Sequence, residues 1–227
     1  MSIKKISIII PVYNEEDSLV LLFDTLKSAL KEISQPVEVV FVDDGSRDKS
    51  LDILRETVEK SDFDFKVVAF RRNYGQTTAL AAGIDHSSGD VIVLMDADLQ
   101  NDPGDIPMML EKIEEGYDLV SGWRKNRKDN AIFKVIPSRI ANWLISKATN
   151  VNLHDYGCTL KAYRRDVLEG YRLYGEMHRF IPAYASYVGA EICEVVVNHN
   201  PRKHGKSNYG LERIVKVLLD LLTVKYL

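Results

Sequence analysis

Cysteine is scarce in this 227-residue chain. There are two, Cys158 and Cys193, far apart, with no Cys-x-x-Cys pair and no histidine pair beside either. That argues against a disulfide framework and a structural zinc site, and reduced thiols are expected. Long hydrophobic runs are also missing. No stretch reaches the length that crosses a bilayer, so no span is expected, and Lys4 and Lys5 precede only Ile6 to Val12 before Asn14, Glu15 and Glu16, which is no secretory leader. Glycine and proline are few, 13 and 7, which excludes collagenous and low-complexity classes. Neither sign of charge dominates. Thirty basic and 33 acidic side chains leave a net charge of −3, so no general nucleic-acid coat is expected and any anion site must be local. Two phosphate-binding patterns are absent as well. No Gly-x-Gly-x-x-Gly follows the first apolar run, and Gly205-Lys206-Ser207 has Asn200 where a P-loop needs its first glycine. Hydride transfer and NTPase activity are thereby disfavoured.

What remains is a soluble, globular composition, 45% apolar and 28% charged. At roughly 150 residues per domain, the length suits one large unit with appendages. Ile6 to Val12 is a short β-branched run that reads as a buried strand, and Leu19, Leu22, Phe23, Leu26, Leu30 and Ile33 then keep helical spacing up to Gln35-Pro36. The rhythm repeats. Strands are expected at 37–42, 66–70, 91–95 and 118–121, with helices from Asp48 or Ser50 to Val58, from Gly75 to Ile84 and from Pro103 to Glu115. Strict alternation of this kind predicts a parallel three-layer α/β sheet with ligands beyond the carboxyl ends of its strands. After Ser121 the pattern changes: a basic stretch from Arg124 to Lys134, a helix to about Lys147, strands at 159–163 and 191–197, and a helix at 177–188. Residues 211–227 form an apolar helix interrupted at Lys216, Asp220 and Thr223, too short to span and suited to a membrane interface.

Three polar clusters fall at expected strand ends: Pro11-Val12-Tyr13-Asn14-Glu15, Asp43-Asp44-Gly45-Ser46 and Asp96-Ala97-Asp98-Leu99-Gln100. A parallel sheet gathers them at one edge. Carboxylates brought that close repel unless a cation intervenes, and Asp-x-Asp offers the hard oxygens that Mg²⁺ or Mn²⁺ takes. Such a cation in turn calls for phosphates. Any one cluster could be an acidic turn capping the next helix; three together favour a site.

The stretches SIIIPVYNE, VDDGS, RRNYGQTTAL, MDADLQNDP, SGWRKNRKD, DYGCTLKAYRR, LYGEMHRF and RKHGKSNYG, which run through nearly the whole chain, resemble the inverting family 2 glycosyltransferases of GT-A fold. Within them the likeness is to the dolichyl- and polyprenyl-phosphate sugar synthases. The resemblance implies a Rossmann-like, mostly parallel sheet flanked by helices, with a catalytic domain over 1–210, a nucleotide-binding half 1–121, an acceptor-binding half 122–210, and the interfacial helix 211–227. It implies that Pro11, Tyr13, Glu15, Asp43 and Asp96 hold the nucleotide, and that Asp98 and Gln100 hold Mg²⁺ or Mn²⁺. Arg124 and Ser138, with Arg202 and Lys206, are implied to bind the acceptor phosphate, although Asn208 stands where the second basic motif expects lysine. Asp155 matches the position of a general base; a phosphate acceptor is already largely ionised at neutral pH, so orienting the sugar is the other role open to it. His178 and Arg179 stay ambiguous between site and surface.

The implied activity is transfer of a hexose, UDP-glucose by weak preference, from a nucleotide sugar to a polyprenyl phosphate at the cytosolic face of a membrane surface. No nucleic acid is expected as a partner, and a homo-oligomer is compatible with the reading. Two rivals stand beside it, a non-catalytic nucleotide-sugar-binding module and a same-fold transferase with a soluble or glycan acceptor. Asp98, Gln100 and Asp155 oppose the first, and the basic stretches with the apolar tail oppose the second.

Overall fold

The computed structural model describes residues 2–125, 142, 145–147, 149, 151–170, 173 and 175–201. Within them seven strands form one sheet. They are β1 (Ile6–Val12), β2 (Val37–Asp43), β3 (Asp64–Ala69), β4 (Val91–Leu94), β5 (Leu119–Trp123), β6 (Lys161–Arg164) and β7 (Ile192–Val196), in the order β3-β2-β1-β4-β6-β5-β7. All neighbouring pairs are parallel except those of β6, which runs antiparallel to both β4 and β5. The mostly parallel α/β expectation therefore holds, and its one reversal matters for the site.

Helices α1 (Glu16–Leu30), α2 (Ser50–Glu59), α3 (Gln76–Asp85) and α4 (Ile106–Glu114) follow β1 to β4 in turn, and α5 (Ile181–Tyr187) precedes β7. The central strand β1 shows why a three-layer core forms. Its side chains alternate, so Ile6, Ile8 and Ile10 join Leu19, Leu22 and Leu26 of α1 on one face, while Ile9 joins Ala79 and Leu80 of α3 on the other. Burying an isoleucine fully contributes about 1.5–3 kcal/mol, and four of them within five positions, all at 0% exposure, make β1 the axle of the sheet. The small-residue composition of α3 has a packing reason: a Cβ at Gly83 would overlap Ile9 Cγ2, so only glycine lets the helix lie this close to β1.

Expected and observed boundaries differ by a few residues. The helix expected from Pro103 is a 3₁₀ turn, Pro103–Asp105, running into α4, because Asp102 accepts the Gly104 N–H at 2.9 Å and winds the entry tightly. The helix expected over 177–188 is likewise a 3₁₀ turn, Met177–Arg179, followed by α5. Among the described residues no helix is long and apolar enough to cross a membrane. The apolar segment 211–227 lies outside the described residues.

Candidate active site

The carboxyl ends of β1 and β2 come level because Val12 pairs with Asp43. Pro11 is thus the penultimate residue of β1, and Tyr13 and Glu15 follow at its exit. The turn between them is fixed by Asn14, in the left-handed region at φ 55°. Its N–H donates to Ser46 Oγ at 3.0 Å and its Oδ1 accepts from Arg47 N–H at 2.8 Å. Glu15 N–H donates to Ser50 Oγ at 2.8 Å, so the first two motifs are clipped together. Gly45, at φ 69°, lies so close to the next loop that a Cβ would stand 2.6 Å from Arg72 Cα. Asp44 ties that loop down, accepting from Tyr74 N–H at 2.6 Å, Gly75 N–H at 2.9 Å and Asn73 Nδ2 at 2.9 Å. Burial pushes the Asp44 carboxyl above its ordinary value against those donors.

Asp43 is different. Its Oδ2 accepts the Ser46 N–H at 3.2 Å, while its Oδ1 is buried with no protein partner. An orphaned buried acceptor is uncommon, and at a strand end it marks where a ligand hydroxyl or N–H would be received.

Beyond β4 the two aspartates of Asp96-Ala97-Asp98 take distinct places. Asp96 Oδ1 accepts from Gln76 Nε2 and Oδ2 from Thr159 Oγ1, both at 2.7 Å. Burial, then the charge of Asp98, pushes the Asp96 carboxyl up to about 6, against Thr159, Arg124 and Arg179. Asp98, 7% exposed, accepts the Gln100 N–H at 3.1 Å. Between them Leu99 sits at φ 63°. A left-handed conformation costs a leucine about 1–2 kcal/mol, and such strain gathers at functional sites. The Gln100 side-chain nitrogen lies 3.3 Å from His199 Nε2. The segment 198–200 is held here by Asn198, which donates to Asp105 at 2.7 and 2.9 Å, and by Asn200 N–H to Gln100 O at 3.0 Å.

Do these residues fit a divalent cation? Two carboxylates close enough for one to raise the other's pKa are better accommodated with a cation between them, and Gln100 adds a hard oxygen. Among the described residues no three His, Cys, Asp or Glu side chains form a complete cage. Mg²⁺ or Mn²⁺ commonly takes one or two carboxylates and completes its shell with phosphates and water, and Asp96, Asp98 and Gln100 supply oxygen donors of that kind.

The reversed strand β6 brings the segment before it to the same edge. Arg124, just past β5, meets Asp155 in a two-pronged pair: Nε to Oδ2 at 2.7 Å and Nη2 to Oδ1 at 2.9 Å, with side chains 11% and 4% exposed. Glu194 of β7 accepts the N–H groups of His154 and Asp155 at 2.8 and 3.2 Å, and the His154 ring stacks on Trp123 at 4.1 Å. From beneath, Lys161 Nζ donates to the Tyr156 and Cys158 carbonyls; burial lowers its pKa. His178 is buried, with Nδ1 2.7 Å from Thr77 Oγ1, which itself donates to Gly175 O at 2.6 Å. Arg179 Nε donates to Glu176 at 3.3 Å.

Of the residues singled out from sequence, Pro11, Tyr13, Glu15, Asp43, Asp96, Asp98, Gln100, Arg124 and Asp155 all lie at this one edge of the sheet. Ser138, Arg202 and Lys206 lie outside the described residues. Sequence reasoning did not single out Gln76, Thr159, Lys161 and His199, since none sits in a charged cluster at a strand end.

A parallel α/β sheet with one reversed strand and Asp-x-Asp at its carboxyl edge defines the GT-A class of nucleotide-sugar transferase fold. The solved structure of Mycobacterium tuberculosis glucosyl-3-phosphoglycerate synthase in complex with Mg²⁺ and UDP has the same fold, with a TM-score of 0.74 at 18% identity over 99% of this chain and 80% of that one. The chain belongs to glycosyl transferase family 2, whose profile matches residues 7–172. It is 45% identical over 225 residues to a dodecaprenyl-phosphate galacturonate synthase of Rhizobium johnstonii, covering 98% of this chain and 67% of that protein. It is 42% identical over 221 residues to an undecaprenyl-phosphate 4-deoxy-4-formamido-L-arabinose transferase of Pseudomonas syringae, covering 97% and 65%. The chain thus spans about two thirds of the length of these relatives.

Proposed function

We propose that this protein transfers a sugar from a nucleotide sugar to a polyprenyl phosphate with inversion. The observation that carries the reading is the meeting, at one sheet edge, of a carboxylate cluster with an arginine region. Asp43, Asp96, Asp98 and Gln100 arrive from β2 and β4, Arg124 and Asp155 from β5 and the entry to β6. Relatives at 45% and 42% identity, named for polyprenyl-phosphate products or acceptors, support it.

On this reading residues 1–121 hold the donor and 122–210 the acceptor. Tyr13 offers a ring to the base, Asp43 Oδ1 receives a ribose hydroxyl or a base N–H, and Pro11 and Glu15 shape that pocket. Asp98 and Gln100 would hold a divalent cation, with Asp96 and His199 next to them. A cation bound there would supply Lewis-acid neutralisation of the diphosphate. Arg124 receives the acceptor phosphate, joined by Ser138, Arg202 and Lys206. A phosphate monoester with a second pKa near 6 is already anionic at neutral pH, so its attack on the anomeric carbon asks little of a general base. The tail 211–227 places the catalytic edge at the cytosolic membrane surface, where the lipid head is found.

The donor is a hexose nucleotide, with UDP-glucose the weak preference from resemblance; the two relatives are named for galacturonate and a formamido-arabinose. Incubating the protein with Mn²⁺, a polyprenyl phosphate and UDP-glucose, UDP-galacturonate or UDP-4-deoxy-4-formamido-arabinose in turn, then resolving the lipid products, tests acceptor and donor together. Absence of a glycosylated lipid from every donor would overturn the reading.

A further inference from the structure

Arg124 and Arg179 come from distant parts of the chain and reach one point, Gly157. A Cβ there would stand 3.3 Å from Arg124 Nη2, 3.5 Å from Asp155 Oδ1 and 3.6 Å from Arg179 Nη1. Each guanidinium is braced through its Nε by its own carboxylate, Arg124 by Asp155 at 2.7 Å and Arg179 by Glu176 at 3.3 Å. The bracing groups are themselves anchored: Asp155 N–H to Glu194, and the Glu176–Arg179 turn through His178 to Thr77. Such bracing serves two ends, since a buried guanidinium without a counter-charge is costly and a planar fork is useful only when aimed.

The glycine has no backbone reason. Gly157 is absent from the left-handed glycines, which are Gly45, Gly75, Gly116, Gly170, Gly175 and Gly189, so a residue with a side chain could adopt its conformation. What glycine supplies is room, on a partly exposed floor between two guanidinium groups. Thr159, two residues beyond Gly157, donates to Asp96 Oδ2 at 2.7 Å, which sets this floor beside the carboxylate cluster on its β5–β6 side.

We infer that Gly157 is the floor of a seat for the acceptor's phosphate, gripped by Arg124 and Arg179, and that Asp155 is a positioning residue that aims Arg124. The inference rests on the lipid-phosphate reading above and adds Gly157 and Arg179 to the site. It takes the seat to be the acceptor's because the donor diphosphate already has the cation ligands Asp98 and Gln100 proposed for it. A carboxylate whose two oxygens both accept from one guanidinium is poorly placed to take a proton, and a dianionic acceptor does not need it to.

The test is steady-state kinetics of the intact protein with Mn²⁺, its nucleotide sugar and a short-chain polyprenyl phosphate, beside UDP titration calorimetry and thermal melting. Gly157→Ala and Arg179→Lys should melt as wild type and bind UDP with Mn²⁺ equally well, while KM for the polyprenyl phosphate rises about 10- to 100-fold, the worth of a charge-assisted contact or two. Asp155→Asn should also raise the acceptor KM, keep the shape of the pH profile, and add little to the loss in Arg124→Lys. An unaltered acceptor KM in Gly157→Ala and Arg179→Lys would overturn the seat. Weakened UDP binding with an unaltered acceptor KM would give the seat to the donor and overturn it equally. A pH profile that loses a limb in Asp155→Asn at constant KM would make Asp155 the proton acceptor. If wild type glycosylates no polyprenyl phosphate, the functional reading itself falls, a result distinct from wild-type turnover that the variants leave untouched.

Discussion

Replacing Glu38 with glutamine should weaken the fold and leave the chemistry alone. Glu38 lies at the amino edge of β2, opposite the site, at 0% exposure. Its carboxylate accepts from Ser7 Oγ at 2.6 Å, Ser88 N–H at 2.5 Å, Lys66 Nζ at 2.6 Å and Lys5 Nζ at 2.9 Å. Burial alone would push the carboxyl up, but these donors outweigh it and hold the group far below the ordinary 4.5. Removing one side of a buried pair costs about 3–5 kcal/mol. Here the lysine side chains are 31% and 41% exposed and can turn to water, so the lower end, about 3 kcal/mol, is expected. At about 2–4 °C per kcal/mol for a chain of this size, that lowers Tm by about 6–12 °C at pH 7. The sign with pH follows from the depressed folded pKa. Wild type holds its full advantage above the unfolded carboxyl's 4.5 and loses it progressively as pH falls from there through the depressed folded value, so the gap between the two melting curves should narrow by pH 3. Calorimetric melts of both proteins from pH 3 to 7 measure this, with kcat at 20 °C expected to agree. A Tm gap at pH 7 under about 2 °C, or a gap that persists undiminished at pH 3, would refute the assignment of stability to an ionised Glu38.

Three further outcomes are expected. Asp98→Asn should cut turnover by about two orders of magnitude, roughly 3 kcal/mol of transition-state stabilisation, with Tm nearly unchanged; undiminished turnover at limiting metal would remove Asp98 from the cation site. Gly45→Ala adds left-handed strain and a Cβ 2.7 Å from Asn73 N, so about 3 kcal/mol of stability and much of the UDP affinity should go, and a variant that melts and titrates like wild type would contradict the close loop contact. A chain ending at Tyr209 should cease to sediment with anionic liposomes at low salt while the chain to Leu227 still does, and equal, negligible binding by both would withdraw the interfacial role of 211–227.

Much of the donor side could be read from sequence because its signals are local. β1 spans the residues expected of it, Ile6 to Val12, since a β-branched run stopped by polar residues admits few other readings. The strand-end clusters meet because parallel strands leave no choice about which edge their carboxyl ends share. What stayed hidden depends on neighbours distant in sequence. Asp43 and Asp44 look alike as letters, yet Asp44 spends both oxygens on the 73–75 loop while Asp43 keeps one buried and unpartnered. Gln76 and Thr159 became visible only as the two donors to Asp96, one from a helix start and one from a strand entry. Lys161 falls inside an expected strand, where nothing marks it out, and only the fold shows it buried beneath the 156–158 loop.

The reversal of β6 is the least legible feature and the one on which the acceptor side depends. A four-residue strand has no periodicity that reveals direction, and an alternating β/α pattern favours a parallel guess. Run parallel, β6 would put its exit, not its entry, at the carboxyl edge of β4 and β5. Four residues at about 3.3 Å each would then carry the 155–159 segment about 13 Å toward the opposite edge. Thr159 could not reach Asp96, nor Asp155 reach Arg124, across that gap. As built, Lys161 pairs with Leu94 at the end of β4 and with Ser121 in β5, so the loop before it opens directly between Asp96 and Arg124. Antiparallel insertion of one short strand thus lets the loop before it close the site, and it sets a carboxylate beside the guanidinium that it aims.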